Sequence, residues 1–238
     1  MADFPAVSID IEESIYLVAE NTFSRRTISE LSVSPYAPGA RMTGPRARLW
    51  ATDLTTGKLT PAEVQAWEAM IDRLNGGAVG LRLYDPARQL PLGKAAGIWR
   101  GGSLGGGYKI DSVYPIDDIF SIEGGSPYGW LDQSAPRGAT AVRMRGLVPS
   151  ETVLMPGDLF ELGGNLYAVS SRVLSDATGK ATVPFSFALW KGEPAGALVN
   201  FVRPRGRFVL AQPDSGYARR QRSWGDVPLQ AFEIPVVR

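Results

Sequence analysis

Short runs in which apolar and polar residues alternate make up most of this chain. Residues 46–53 and 78–84 alternate in this way, which is the period of a strand with one buried face. The 27 glycines and 18 prolines are spread along the whole sequence, where they favour turns between such runs. The pattern therefore predicts a mainly β protein built from many short strands.

One segment follows a helical period instead. Thr60, Pro61 and Glu63 supply an N-cap, a first-turn proline and the acidic partner of a capping box. Apolar residues then recur every three or four positions, at Val64, Trp67, Met70, Ile71 and Leu74. We expect one amphipathic helix that ends at the glycines of residues 75–77 and packs its apolar stripe on a sheet.

Strands are predicted on both sides of a central glycine-rich stretch. Upstream, residues 15–23 and 27–33 read as a pair with a turn near Asn21 and Ser24. Downstream, the firmest runs cover residues 139–147, 158–172 and 180–188, and residues 175–179 have the composition of a hairpin turn. The last quarter offers strands at residues 207–211 and 229–236.

The glycine-rich stretch suggests two domains. Residues 101–107 read Gly-Gly-Ser-Leu-Gly-Gly-Gly and lack the side chains that pack a core. We place a domain crossing in this region and predict that residues 1–92 and 199–238 form one domain, with residues 93–198 inserted as a second β domain, because the flanking strands can pair with each other.

Composition narrows the function. The 238 residues contain neither histidine nor cysteine, so the commonest general base and metal ligand is missing, and so is any thiol nucleophile. The net charge is +1, which provides no global attraction to nucleic acid or to an anionic membrane. Without a long apolar run or signal-like start, we expect no membrane association and synthesis in the cytoplasm. A protein without enzymatic activity is favoured.

Three weak chemical motifs remain. The glycines of residues 101–107 resemble a phosphate-binding spacing but lack the strand and helix that would frame it. Acidic residues cluster at Asp10, Glu12 and Glu13 and again at Asp117, Asp118 and Glu123, where a cation site or a glycosidase-like pair is conceivable. Solvated turns explain these clusters more simply, so we predict neither a cofactor nor a metal, and no catalytic residue.

The ordered motifs resemble a known family. They are residues 18–25, the helical stretch 62–70, residues 77–86 with Pro91-Leu92-Gly93, the stretch 155–169 beginning Met-Pro-Gly-Asp, and residues 176–182 and 203–210. Taken in this order they are similar to the distal tail proteins of long-tailed bacteriophages and of phage-like gene transfer particles. Residues 97–134 do not match the pattern.

The resemblance implies a fold, an assembly and partners. The fold would be a tail-tube-like β-sandwich with one α-helix, called the belt domain, plus an inserted β-sandwich or barrel domain. The subunits would form a hexameric ring at the virion tail tip, joining the tail tube protein to the baseplate hub protein. DNA passing through the lumen would make at most weak contacts.

Two sets of side chains are candidates for contact with partners. Arg46, Arg48, Arg203, Arg205 and Arg207 are predicted at subunit interfaces, because the guanidinium group makes bidentate contacts with carboxylates. Solvent exposure on one strand face and contact with nucleic acid are the alternatives for the arginines of the last quarter.

The second set is aromatic. Tyr114, Tyr128 and Trp130 belong to an aromatic cluster interleaved with carboxylates, where flat rings could stack on sugars. Core packing is the plain alternative. A carbohydrate-binding or receptor-binding module is therefore the second hypothesis.

Overall fold

The computed structural model describes residues 8–10, 18–33, 40–56, 60–74, 79–95, 109–110, 114–115, 128–210 and 228–233. In chain order its elements are β1 (Ser8–Asp10), β2 (Val18–Val33), β3 (Ala40–Thr56), α1 (Pro61–Leu74), β4 (Gly80–Tyr84), a 3-10 helix (Pro86–Arg88), β5 (Lys109–Ile110), β6 (Tyr114–Pro115), β7 (Tyr128–Leu131), β8 (Ala141–Arg145), β9 (Thr152–Leu154), β10 (Leu159–Leu162), β11 (Asn165–Ala168), β12 (Val173–Leu174), β13 (Ala181–Pro184), β14 (Leu198–Asn200), β15 (Arg205–Leu210) and β16 (Pro228–Glu233). The prediction of a mainly β fold with one α-helix is confirmed for these residues.

The chain divides into two compact units. Unit 1 comprises residues 1–83 and 207–234, and unit 2 comprises residues 84–206 and 235–238. The chain therefore leaves unit 1 within β4 and returns to it within β15. The roles that the sequence suggested for a belt and an inserted domain stay predictions.

Unit 1 is built on a six-stranded sheet with the order β1-β4-β15-β16-β3-β2. β1 pairs with β4 in parallel, whereas the pairs β15–β16, β16–β3 and β3–β2 are antiparallel. Within this sheet Phe23 meets Phe208 edge to face, with ring centroids 5.6 Å apart. The most buried side chains of the unit include Trp50, Leu81, Leu83 and Phe208, which form its apolar core.

The helix forms as its sequence predicts. The Thr60 N–H donates to Glu63 Oε2 at 2.6 Å, and the Glu63 N–H donates to Thr60 Oγ1 at 3.4 Å, which is the reciprocal pattern of a capping box. Val64, Trp67, Met70 and Leu74 are all buried, so the predicted apolar stripe faces the interior. The glycines expected to end the helix lie outside the described residues.

The sequence prediction for the first strand pair is wrong. Residues 18–33 form one continuous strand, β2, which pairs with β3 from Val18↔Thr56 to Val33↔Ala40, and no turn interrupts it near Asn21 or Ser24. Pairing with a long partner overrides the turn preference of asparagine and serine, because Asn21 and Ser24 lie opposite Leu54 and Ala51 on β3. The register shifts between Val18 and Glu20 and again between Ile28 and Glu30. The second shift lies opposite the segment that contains Pro45, which fits the restriction of proline to edges and bulges.

Unit 2 contains a second six-stranded sheet, with the order β11-β10-β14-β7-β8-β13. Its two outer strands continue into residues that pair with each other: the Ser170 N–H donates to the Pro184 carbonyl at 3.0 Å, and the Ser186 N–H donates to the Ala168 carbonyl at 2.9 Å. An isolated bridge joins Val169 and Phe185 between them. The sheet therefore curls until its edges meet, as in a small barrel.

Aromatic side chains fill the interior of the curled sheet. Phe160 lies 5.5 Å from Tyr167 and 5.6 Å from Phe185, measured between ring centroids, and Tyr167 lies 5.2 Å from Phe185. All three rings are buried, together with Leu131, Met144 and Phe201. The predicted strands at residues 139–147, 158–172 and 180–188 correspond to β8, to the β10–β11 hairpin and to β13, so these predictions are confirmed.

Candidate functional site

The most exposed apolar surface of the curled sheet surrounds Trp130 on β7. Gly129 and Leu131 point into the unit and are buried, whereas Trp130 points outward and is 37% exposed. Leu198, which lies opposite Trp130 on β14, is 51% exposed, and Arg145 lies opposite Trp130 on β8. We call the outward side chains of Tyr128, Trp130, Arg145, Leu198 and Asn200 the Trp130 face.

A glycine holds the Trp130 ring in place. Gly146 follows β8 with a φ of +80°, and a side chain at this position would place its Cβ 2.6 Å from the Cε3 and Cζ3 atoms of Trp130. The indole therefore lies against the backbone at Gly146, where any larger residue would displace it. One side of the ring rests on protein, and the exposed remainder is available to a ligand.

Cations surround one carboxylate beside this ring. Asp132 accepts from Lys180 Nζ at 2.9 Å and lies 3.3 Å from Arg143 Nε. The hydrogen bond from Lys180 lowers the pKa of the Asp132 carboxyl, and the charges of Arg143 and Arg145 lower it further. Within the part of the chain that the structure describes, Arg145 forms no ion pair of its own. Two cations thus pair with Asp132, and Arg145 adds a third positive charge nearby.

The structure brings two of the three predicted aromatic residues together. Tyr128 and Trp130 are alternate residues of β7, so both lie on the outer face of the sheet. Tyr114 lies on β6, which pairs with β5 in a separate two-stranded sheet, and its side chain is outside the described residues. The core-packing alternative is wrong for Trp130, and the aromatic cluster divides between two sheets.

The five predicted interface arginines occupy different strands. Arg46 and Arg48 lie on β3, where Arg48 is opposite Thr27, and their side chains are outside the described residues. Arg205 and Arg207 lie on β15 with half-buried side chains. Arg203 precedes β15 in unit 2. The prediction that these residues contact another subunit stays a prediction.

Arg203 has a role within unit 2. Its N–H donates to the Gln89 carbonyl at 2.6 Å, its Nε donates to Gln89 Oε1 at 3.3 Å, and its guanidinium lies 5.7 Å from the centroid of the Tyr84 ring. Its φ of +45° is unusual for a residue with a side chain. Several contacts together therefore hold the segment that leaves unit 2 beside the segment that enters it.

A buried aspartate explains two of the sequence motifs. The carboxylate of Asp158 accepts from the N–H groups of Leu92 at 2.8 Å, Gly93 at 3.2 Å and Met155 at 2.7 Å, and its residue is only 4% exposed. The Pro91-Leu92-Gly93 and Met155-Pro156-Gly157-Asp158 motifs thus meet in space. A Cβ at Gly93 would lie 2.1 Å from the Val153 carbonyl oxygen, so this close approach requires glycine.

Several candidate motifs fall outside the described residues. These are the glycines of residues 101–107 and the acidic residues Glu12, Glu13, Asp117, Asp118 and Glu123. In the described ranges no group of three or more acidic residues is arranged to hold a metal ion. No helix in those ranges has the length and apolar character needed to cross a bilayer.

No protein-family model matches the chain, and no curated protein matches it.

Sequence reasoning missed Arg145, Leu198 and Asn200 of the Trp130 face, and it missed Gly146, which supports the indole. Arg145, Gly146 and Leu198 gain their significance only from being next to Trp130 across the strands. The alternation of residues 141–145 could have placed Arg143 and Arg145 on an outer face. The pairing of β7 with β14 could not have been read from the sequence, because residues 132–197 lie between the two strands.

Proposed function

We propose that this protein is a structural subunit of a bacteriophage or phage-like tail tip, which forms a ring that joins the tail tube to the hub. The proposal rests on the resemblance of the ordered motifs and on the mainly β fold with one helix. The structural observation that supports ring formation most strongly is the β2–β3 hairpin of unit 1, whose strands span 16 and 17 residues.

Half of this hairpin has no third strand beside it in the described ranges. β16 pairs with β3 only from Ala51 to Thr55, whereas β2 pairs with β3 as far as Ala40. β2 is also the last strand of its sheet. A two-stranded ribbon is marginally stable by itself in water, and an open edge strand is a template for pairing with another chain.

A second copy of the same chain is the partner that fits this edge best. A ring uses interfaces in which each copy presents one surface to a different surface of its neighbour. Such a closed ring would cover every exposed β2 edge at once. The subunit would have an assembly role and no catalytic one, and its place would be the tail tip of the virion.

Adjacent proline substitutions on β2 test the edge. Arg25 and Arg26 lie opposite Trp50 and Leu49 in a regular stretch of the ladder, and alternate residues of an antiparallel edge strand direct their N–H towards the partner strand or away from it. We expect one of Arg25→Pro and Arg26→Pro to weaken folding. The other should preserve folding and abolish ring formation, because proline blocks only an outward donor.

Native mass spectrometry and electron microscopy of the full chain provide the measurement, alone and with a tail tube protein from the same genome. Both variants remove one arginine, so charge is matched. Six-fold oligomers for the wild-type chain would support the proposal. A wild-type chain that stays monomeric in the presence of its tube protein would contradict it.

The second candidate function is contact with a glycan through the Trp130 face. The exposed indole of Trp130 beside the exposed side chain of Leu198 favours it, since large exposed apolar groups that lie together on a folded surface mark binding sites. Trp130→Ala should abolish binding on a glycan array while the variant still unfolds in a cooperative transition. A blank array for the wild-type chain would count against this function.

A further inference from the structure

We infer that the ligand of the Trp130 face is an acidic polysaccharide, whose sugar ring stacks on Trp130 while a carboxylate of the sugar pairs with Arg145. This inference rests on the second candidate function and is independent of ring formation. It specifies the chemical class of the ligand, which the aromatic residues alone do not.

The positive charge beside Trp130 favours an anionic ligand. Arg145 lies directly opposite Trp130 and forms no ion pair among the described residues. Asp132 is already engaged by Lys180 and Arg143. Glu161, opposite Asn200 on β10, accepts from Asn200 Nδ2 and from the Arg205 N–H. The surface next to the indole thus carries an excess of positive charge, which complements an anion.

The position of the Trp130 ring favours a sugar as the ligand. Gly146 lets the indole lie against the sheet, so the ligand meets an open, flat aromatic surface. Sugars pack on such surfaces through their apolar faces, and nearby polar groups fix their orientation. Asn200 and Tyr128 lie two residue pairs further along β14 and β7, on the same face, and place an amide and a phenol at the border.

Two other classes of anion fit this face less well. An extended acidic peptide adds to an open sheet edge, but β7 lies between β14 and β8, and β8 lies between β7 and β13, so neither strand has a free edge. Single-stranded nucleic acid is bound by several rings that stack successive bases along a basic groove. The described part of the Trp130 face offers one exposed indole and one half-buried phenol.

A matched pair of ligands tests the inference on the full chain. Isothermal titration with a galacturonic acid oligosaccharide should show binding, and the methyl-esterified oligosaccharide of the same length should bind about tenfold more weakly, because the ester removes the charge that Arg145 recognises. Raising the ionic strength should weaken binding of the acid and leave the ester unaffected.

Three variants assign the contacts. Trp130→Ala should abolish binding of both oligosaccharides, whereas Arg145→Gln should remove the preference for the acid over the ester. Arg172→Gln is the charge-matched control, since Arg172 is exposed and donates to Thr152 Oγ1 beside β9. It should bind both oligosaccharides as the wild-type chain does. The unfolding midpoint of each variant shows that the fold is intact.

The outcomes separate the inference from the function on which it rests. Equal binding of the acid and the ester would overturn the acidic class and leave glycan contact standing. The absence of any binding would overturn both. Polyglutamate or single-stranded DNA that binds as tightly as the galacturonate, with the same loss on Trp130→Ala, would overturn the assignment to a saccharide.

Discussion

The two six-stranded sheets of this protein differ at their edges, since one ends in an open strand and the other has its two outer strands joined. In unit 1 the sheet ends at β2, a strand of 16 residues whose outer edge is open among the described strands. In unit 2 the sheet curls until β11 and β13 are joined through Val169 and Phe185. A closed sheet satisfies its own backbone groups, whereas an open one offers them to a partner.

We propose that this difference separates assembly from ligand contact. An open edge with a long hairpin suits repeated pairing with identical subunits, which we propose for unit 1. A curled sheet has no long edge to offer, so a partner must be recognised through outward side chains such as Trp130. Four of the five predicted interface arginines lie on β3 and β15 of the unit 1 sheet, whereas Tyr128 and Trp130 lie on the curled sheet.

The largest expected effect on stability comes from removing a buried aromatic ring from the interior of the curled sheet. Phe160 contacts both Tyr167 and Phe185 and is fully buried, so Phe160→Ala should lower the free energy of unfolding by about 3–5 kcal/mol. Chemical denaturation measures this change. Leu174→Ala, at a side chain that is 64% exposed, is the control and should have almost no effect. Equal effects of the two substitutions would mean that the ring cluster does not support closure.

A smaller loss is expected from the buried aspartate. Asp158 accepts three backbone N–H groups, and Asp158→Asn replaces one acceptor oxygen by a donor and removes the charge. We expect unfolding in denaturant to become easier by about 2 kcal/mol, the range of hydrogen bonds to charged groups.

The control for this substitution is Asp176→Asn in the turn at residues 176–179. The Asp176 carboxylate accepts from the N–H groups of Thr178 and Lys180 but is exposed, so water replaces the lost contacts and the effect should be smaller. An Asp158→Asn protein as stable as the wild type would show that the carboxylate does not anchor residues 92 and 93.

The smallest effect is the dependence of stability on pH. Hydrogen bonds lower the pKa of Asp132 and Asp176 in unit 2 and of Glu63 in unit 1. The hydrogen bond with the largest effect comes from the Lys180 side chain for Asp132, from the Lys180 N–H for Asp176 and from the Thr60 N–H for Glu63. A carboxyl whose folded pKa lies below its unfolded pKa stabilises the fold at pH values above the unfolded pKa of about 4, and this contribution is lost as pH falls through the folded pKa.

Thermal unfolding between neutral and acidic pH measures this contribution. Asp132→Asn and Asp176→Asn together should flatten the acidic part of the stability profile more than Glu63→Gln does, because they remove two titrating groups and Glu63→Gln removes one. Glutamine also retains the capping hydrogen bond of Glu63. A profile unchanged by the double substitution would contradict the assignment of these carboxyls.

Much of the fold follows from short stretches of sequence. The capping box of Thr60 and Glu63, the apolar stripe of α1 and the alternation of residues 141–145 each depend on neighbours within a few positions, and the structure bears them out. The candidate site was predicted in part, since Tyr128 and Trp130 do share an outer face. Tyr114 is not on their sheet, because spacing along the chain does not decide which strands pair.

The sequence by itself determined where α1 and alternating strands such as β8 and β13 form, because capping and alternation are local. Only the tertiary structure decided that residues 18–33 are one strand, that Asp158 holds residues 92 and 93, and that Gly146 supports Trp130. Each of these depends on a partner that folding brings from elsewhere in the chain. Long-range pairing satisfies backbone groups that local preferences alone would have left in turns.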